Sequence, residues 1–237
     1  MSSVIEPEVQ VRPTAADVIA LIERLGDIDP RRVLLDPLPG TATEADLLRL
    51  LDHEDRICEL IEGTLVEKVM GFQESGLAMW IGHLLYQFLD TSPLGELTGP
   101  DGTLRLAPDL VRIPDVAFFR REKIPGGRIG RTAIPSLVPD LAIEVLSEGN
   151  TRREMERKVR DYFFAGCTLV WLVDPVRRVV RVFTAPDVEV VMTESETLEG
   201  GTVLPGLSLP VARIFERLPA PEPTPPARPG RKKKRAG

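Results

Sequence analysis

Residues 139–174, PDLAIEVLSEGNTRREMERKVRDYFFAGCTLVWLVD, contain the pattern that decides the fold. An apolar run is followed by a short polar loop, an amphipathic segment and a second apolar run, which together predict a strand, a helix and a strand. Glu144 lies in the middle of the first run. An ionised carboxylate inside an apolar strand is costly unless it is paired or binds a metal, so we expect function near this residue.

The remaining hydrophobic patterns predict a mixed α/β fold in which helices pack on one central sheet. Helical spacing of apolar residues occurs in four segments: 14–25, 43–53, 75–89 and 151–165. Short apolar or alternating runs predict eight strands: 57–61, 64–70, 103–107, 111–119, 140–146, 168–174, 178–184 and 188–193. A short turn and helix are expected to close the domain before residue 218.

This pattern divides the chain into three parts. Residues 1–42 form an N-terminal extension with one helix, residues 43–218 form the folded domain, and residues 219–237 have the composition of a disordered basic tail. Within the extension, residues 26–41 are rich in Pro, Gly and Asp, which favours an extended connection over the surface. Residues 1–13 are expected to be disordered.

Composition indicates a soluble globular protein, with 43% hydrophobic and 28% charged residues in a chain of 237. No apolar run approaches the roughly 18 residues of a membrane span, and the N-terminus lacks the features of a signal peptide, which favours the cytoplasm. Cys58, Cys167, His53 and His83 show no metal-ligand spacing, so both cysteines are expected to be buried thiols. Any enzyme chemistry therefore depends on carboxylates and lysine.

The net charge of −6 conceals an asymmetry along the chain. Residues 219–237 hold six of the 30 basic residues but only one of the 36 acidic ones, Glu222. The rest of the chain is strongly acidic, which disfavours simple phosphate-driven binding of nucleic acid but suits a cation site. The GRKKKR run of the tail can contact nucleic acid or can simply be solvated.

Three acids interrupt apolar strands: Glu59 in CELIEG, Asp115 in IPDVAFF and Glu144 in LAIEVL. Strand alternation places Asp115 and Glu144 in mid-strand, each on one face. If the two strands are neighbours, both carboxylates can reach a single hard cation, which prefers oxygen ligands. The pattern thus predicts a Mg²⁺ or Mn²⁺ site at Asp115 and Glu144.

Helix geometry adds a lysine to these acids. At about 100° per residue, Lys158 lies on the border of the apolar stripe of helix 151–165, whereas Arg157, Arg160 and Asp161 point away from it. The Lys158 ammonium can therefore reach back toward the sheet. A divalent metal beside a lysine suits phosphodiester hydrolysis, since the metal activates water and the lysine stabilises developing negative charge.

Each of these residues also has a purely structural interpretation. A single acid in a strand is often an ion-paired structural residue, a single lysine on a helix border often extends its ammonium to solvent, and Glu62 beside Gly63 is expected to be a turn residue. Only the combination of acids and lysine, in this order, favours function.

Several motifs in combination resemble the Uma-type family of endonucleases, a branch of the PD-(D/E)XK restriction-endonuclease-like superfamily. They are PDVAFF, the stretch from PDLAIEVLS to WLVDP with Lys and Tyr four residues apart on its helix, and the upstream ELIEG hairpin. The resemblance covers about residues 43–218. It implies a restriction-endonuclease-like core with a central mixed sheet, metal ligands at Asp115 and Glu144, and Glu59 as a further acid. The Glu-x-Lys motif of the superfamily would place lysine at Leu146, so Lys158 is its substitute.

The leading hypothesis is a divalent-metal-dependent endonuclease that hydrolyses phosphodiester bonds of nucleic acid, with DNA as the expected substrate. Glu59, Asp115, Glu144 and Lys158 would carry the catalysis. One alternative is a catalytically silent module of the same fold that binds nucleic acid or protein. Another is self-association as a homodimer, through a sheet edge or through residues 1–42.

Overall fold

The computed structural model describes residues 14–53 and 56–220. The predictions of disorder at residues 1–13 and across most of the tail, 221–237, lie outside the described residues. The helices are α1 Ala15–Arg24, α2 Glu44–His53, α3 Phe72–Leu89, α4 Arg152–Ala165 and α5 Val211–Phe215. The strands are β1 Cys58–Ile61, β2 Thr64–Glu67, β3 Gly95–Thr98, β4 Leu104–Ala107, β5 Leu110–Arg112, β6 Val116–Arg120, β7 Leu141–Val145, β8 Leu169–Asp174, β9 Val179–Ala185, β10 Val188–Thr193, β11 Thr197–Gly200 and β12 Leu204–Pro210.

A six-stranded mixed sheet forms the centre of the fold, in the order β10-β9-β8-β7-β6-β3. β7 and β8 are parallel, and the other neighbours in this sheet are antiparallel. The parallel pair is joined through α4, as the apolar-polar-amphipathic-apolar pattern of residues 139–174 predicts. The predicted mixed α/β fold with a central sheet is confirmed.

Strand alternation sends the residues of β7 into two different cores. Ile143 and Val145 belong to a cluster with α3 and α5, whereas Ala142 belongs to a cluster with Met155 and Val159 of α4. Glu144 follows the same alternation and faces α4. The carboxylate therefore points into a buried helix–sheet interface, where it must be paired.

The predicted strand 111–119, in which Pro114 indicates an edge or a bulge, is two strands, because the chain changes sheets within it. β5 belongs to a four-stranded sheet of order β2-β1-β5-β4, and β6 belongs to the central sheet. Pro114 lies in the break, where it has no N–H for a ladder and restricts the residue before it. Asp115 consequently lies immediately before β6, at the junction of the two sheets, and not in mid-strand.

Several boundaries also differ from the predictions. Helix α3 begins three residues before the predicted residue 75, and β2 ends at Glu67 and not at residue 70. β3, β11 and β12 were not predicted as strands, because each is short or interrupted by Gly and Pro. Within the described residues, no helix combines the length and the apolarity needed to cross a membrane.

The connection over residues 26–41 is exposed along only about half of its length. Ile28 and Leu34 are buried, and Leu34 donates its N–H to the carbonyl of Leu65 on β2. Val33 forms a bridge with Val66 of the same strand. The pattern of Pro, Gly and Asp predicts the irregular backbone of this segment. It does not predict the burial of Ile28 and of residues 32–34.

Candidate active site

The structure brings three of the predicted residues into direct contact. Lys158 Nζ lies 3.1 Å from Glu59 Oε1 and 3.1 Å from Glu144 Oε2. Glu59 belongs to β1 of the small sheet and Glu144 to β7 of the central sheet, so the lysine links the two sheets. All three residues are at most 3% exposed. Two carboxylates share one buried ammonium.

The local sequence fixes the position of Lys158. Thr151 caps α4 and forms a reciprocal capping box with Glu154, and Gly166 ends the helix in the left-handed conformation. These two signals set the helix start and end as predicted. Lys158 then lies on the helix face that is covered by the sheets.

Asp115 is held beside this pair by backbone contacts. Its N–H donates to the Ile143 carbonyl at 3.0 Å, and its Oδ2 accepts from the Val145 N–H at 2.6 Å. These bonds place its carboxylate next to Glu144 on the neighbouring strand. The predicted adjacency of the Asp115 and Glu144 strands is therefore present, with β6 and β7 paired in the central sheet.

The second oxygen of Asp115 faces a lysine that the sequence analysis missed. Lys68 Nζ lies 2.7 Å from Asp115 Oδ1, although this contact lacks the alignment of a hydrogen bond. The same ammonium donates to the Pro100 carbonyl at 3.1 Å. Lys68 directly follows β2, and nothing in the pattern VEKVM distinguishes it from a solvated lysine.

Arg112 and Asp161 were also missed as members of the cluster. Arg112 Nη1 lies 2.7 Å from Glu59 Oε2, and its other nitrogens donate to Asp161. The Ile113 N–H donates to Glu59 Oε1 at 3.1 Å, so both oxygens of Glu59 are satisfied. Asp161 was predicted to point away from the core, and this was wrong because the buried guanidinium of Arg112 draws it inward.

Tyr162 completes the environment of Glu144. Its hydroxyl donates to Glu144 Oε1 at 2.5 Å. Burial and the charges of Glu144 and Glu59 raise the pKa of this phenol well above its usual value, so it remains a donor. The spacing of Lys158 and Tyr162, one helical turn apart, allows both to contact the same carboxylate.

The two carboxylates that share Lys158 have opposite pKa shifts. Burial alone would raise the pKa of Glu59, but the charges of Lys158 and Arg112 overcome it and lower the value to about 2. Burial raises the pKa of Glu144, and the charges of Asp115 and Glu59 add to that shift against the opposing charge of Lys158. For Lys158, burial would lower the pKa, but Glu144 and Glu59 raise it, so the ammonium keeps its proton.

The lowered pKa of Glu59 predicts an acid-sensitive contribution to stability. Because the carboxyl titrates near 2 in the folded protein and near 4.5 ordinarily, its ionisation stabilises the fold above pH 4.5, and this contribution is lost as the pH falls toward 2. The stability advantage of wild type over Glu59→Gln should therefore shrink by about 2 kcal/mol between pH 5 and pH 3. Urea unfolding at both pH values measures it.

The control for this pH experiment is Glu122→Gln, which removes an exposed carboxylate. Its stability difference from wild type should stay nearly constant over the same range. A difference for Glu59→Gln that is equally constant would show that the ion pairs of Glu59 do not lower its pKa.

The fold and the buried cluster define the class of protein: an α/β protein with a restriction-endonuclease-like core. A family model described as Uma2, putative restriction endonuclease, matches residues 44–212. The chain belongs to this family, which confirms the resemblance seen in its motifs.

A solved structure shows the same fold. The crystal structure of a putative nuclease belonging to DUF820 from Anabaena variabilis ATCC 29413 is similar with a TM-score of 0.64 and 20% sequence identity. The similarity covers 73% of this chain and 97% of that chain. The search of curated proteins found no match.

Proposed function

We propose that the protein is a divalent-metal-dependent endonuclease that hydrolyses phosphodiester bonds, with DNA as its expected substrate. The observation that carries this proposal is the contact of Lys158 with two buried carboxylates from different sheets, beside Asp115, in a member of a restriction endonuclease family. Burying this many charges is costly and gives little stability, so the arrangement favours a functional origin.

Asp115 and Glu144 fit the chemistry of a hard cation. Asp115 Oδ1 is buried and makes no aligned hydrogen bond within the described structure. Carboxylate oxygens from two adjacent strands are the donors that Mg²⁺ or Mn²⁺ takes, with water in the remaining positions. Such an ion, when bound, would activate water and offset charge on the phosphate. Across residues 14–53 and 56–220, no three His, Cys, Asp or Glu side chains form a preassembled metal site.

The contacts support distinct roles for the other residues. Lys158 keeps its proton, so it would act by stabilising negative charge or orienting water, and not as a general base. Glu59, which stays ionised, holds the Lys158 ammonium in place. Tyr162 is a positioning residue that fixes the orientation of Glu144.

Cleavage assays with Mg²⁺ or Mn²⁺ titration on DNA and RNA test the proposal. Glu144→Gln keeps the shape of the side chain but removes a ligand charge, and we expect cleavage to fall by about a hundredfold or more. Conservative substitution is needed at Lys158 as well, since alanine would leave a cavity in the buried cluster. Equal activity in wild type, Glu144→Gln and Lys158→Met would contradict the proposal.

A second candidate is a catalytically silent module that binds nucleic acid or protein. The near balance of positive and negative charge in the cluster favours it, because the buried acids are already paired with lysine and arginine. Calorimetry that detects no binding of Mg²⁺ or Mn²⁺, together with unchanged nucleic-acid affinity in Glu144→Gln, would support this candidate over the enzyme.

A further inference from the structure

We propose that Lys68 is a resident counter-cation of Asp115, and that a divalent metal ion must displace its ammonium to bind. This inference rests on the proposed metal-dependent function. It adds that a lysine of the same chain competes with the metal ion for Asp115. The ammonium occupies the side of Asp115 that the backbone leaves open. Asp115 Oδ2 is held by Val145, whereas Oδ1 faces Lys68 Nζ at 2.7 Å.

The net charge of the buried cluster supports displacement. Three cations, Lys68, Lys158 and Arg112, face four anions, Glu59, Asp115, Glu144 and Asp161. A divalent ion added to the intact cluster would reverse its net charge of −1 to +1. If the ammonium of Lys68 leaves, the same ion brings the cluster to neutrality. An uncompensated buried charge is costly, so exchange of the lysine for the metal is the favoured route.

The ion pairs at the border of the cluster do not alter this balance. Arg32 pairs with Glu154, and Arg157 contacts Glu62 as well as Asp161 of the cluster, at 3.9 Å. Each addition brings one cation and one anion, so the count stays at −1.

Lys68 is held less firmly than Lys158. Lys158 contacts two carboxylates, and its contacts with Glu144 meet hydrogen-bond criteria. Lys68 contacts one carboxylate, that of Asp115, without the alignment of a hydrogen bond. It also donates to one neutral carbonyl, that of Pro100. It also lies outside the strand, in the connection between β2 and α3. An arriving cation therefore displaces Lys68, and Lys158 stays at the site.

Calorimetric titration with Mn²⁺ of wild type, Lys68→Met and Lys123→Met tests the inference. Methionine keeps the aliphatic length of lysine and removes the competing charge, so Lys68→Met should bind Mn²⁺ at least about tenfold more tightly than wild type. Lys123→Met makes the same change in net charge at a partly exposed lysine that pairs with Asp140, at the opposite end of β7 from Glu144. Its affinity should stay near that of wild type.

A second measurement needs no substitution at Lys68. The wild-type protein is treated with an amine-acylating reagent in EDTA and in saturating Mn²⁺, and modification of Lys68 is followed by peptide mass spectrometry. Its side chain is only 6% exposed without metal, so acylation should be slow in EDTA and several-fold faster with Mn²⁺. An unchanged rate, with Mn²⁺ binding shown by calorimetry, would overturn the inference.

The outcomes separate this inference from the proposed function. If wild type binds Mn²⁺, Asp115→Asn abolishes binding and Lys68→Met binds no more tightly, Lys68 does not compete with the metal but the metal site stands. If neither wild type nor Lys68→Met binds Mn²⁺, both proposals fail. If Lys68→Met binds Mn²⁺ more tightly than wild type and Lys123→Met does not, both proposals are supported.

Discussion

Replacing Lys158 with methionine is expected to lower the free energy of unfolding by about 3–5 kcal/mol, the range for breaking a buried ion pair by removal of one partner. Methionine fills nearly the same space, so loss of packing contributes little. The cost arises because Glu59 and Glu144 lose the ammonium between them while both remain buried. Arg112 still pairs with Glu59. Glu144, which loses Lys158, keeps its hydrogen bond from the hydroxyl of Tyr162.

Urea unfolding in EDTA at neutral pH measures this effect without a contribution from bound metal. Arg160→Met is the matched control, since it removes a positive charge from an exposed position of the same helix and should change stability by less than about 0.5 kcal/mol. The double variant Lys158→Met with Glu144→Gln should recover part of the loss, because it removes the stranded carboxylate. A loss of less than about 1 kcal/mol for Lys158→Met would mean that the pair is not buried as described.

The acids of the buried cluster could be predicted because they conflict with their own local pattern. Glu59 and Glu144 interrupt apolar strands, and such an interruption is visible without any knowledge of the fold. Lys158 followed from helical periodicity, since a residue on the border of an apolar stripe has a defined direction. In the structure, the short strands β1 and β7 position the two acids, and the capped helix α4 positions the lysine.

The partners Lys68 and Arg112 could not be predicted from the same reasoning. Both lie at or just beyond the end of a short strand, where a long basic side chain is usually solvated. Their burial depends on the small sheet packing beside the central one, and that arrangement begins at the break around Pro114. A strand pattern that continues through proline hides such a change of sheet.

The N-terminal extension shows a similar limit, because the burial of its residues 25–34 depends on contacts far away in sequence. Residues 14–42 precede the part of the chain that the family model matches, yet they contact α4 directly. Gly26 has a positive φ of 95°, and a Cβ atom there would lie 2.6 Å from the backbone of Glu154. Thr151, the cap of α4, donates its hydroxyl to the Gly26 carbonyl. The first turn of the helix that carries Lys158 is thus packed against the extension.

Arg32→Met should therefore lower the free energy of unfolding by about 3–5 kcal/mol, although the residue lies outside the matched region. Its guanidinium binds the Glu154 carboxylate through two hydrogen bonds, at 2.8 and 3.0 Å, and donates to the Glu67 carbonyl at 2.9 Å. Methionine would leave the Glu154 carboxylate buried without its cation. Because Glu154 lies one turn before Lys158, hydrogen exchange in the first turns of α4 should also become faster.

Arg31→Met provides the control from the adjacent position. The Arg31 side chain is 90% exposed and pairs with Asp29, so its loss should change the free energy of unfolding by less than about 0.5 kcal/mol. Urea unfolding of both variants, with hydrogen exchange followed on peptides from α4, measures the difference. Equal stability of the two variants would show that the extension does not anchor the helix. A loss confined to Arg32→Met, with faster exchange in α4, would make the extension a structural support of the candidate active site.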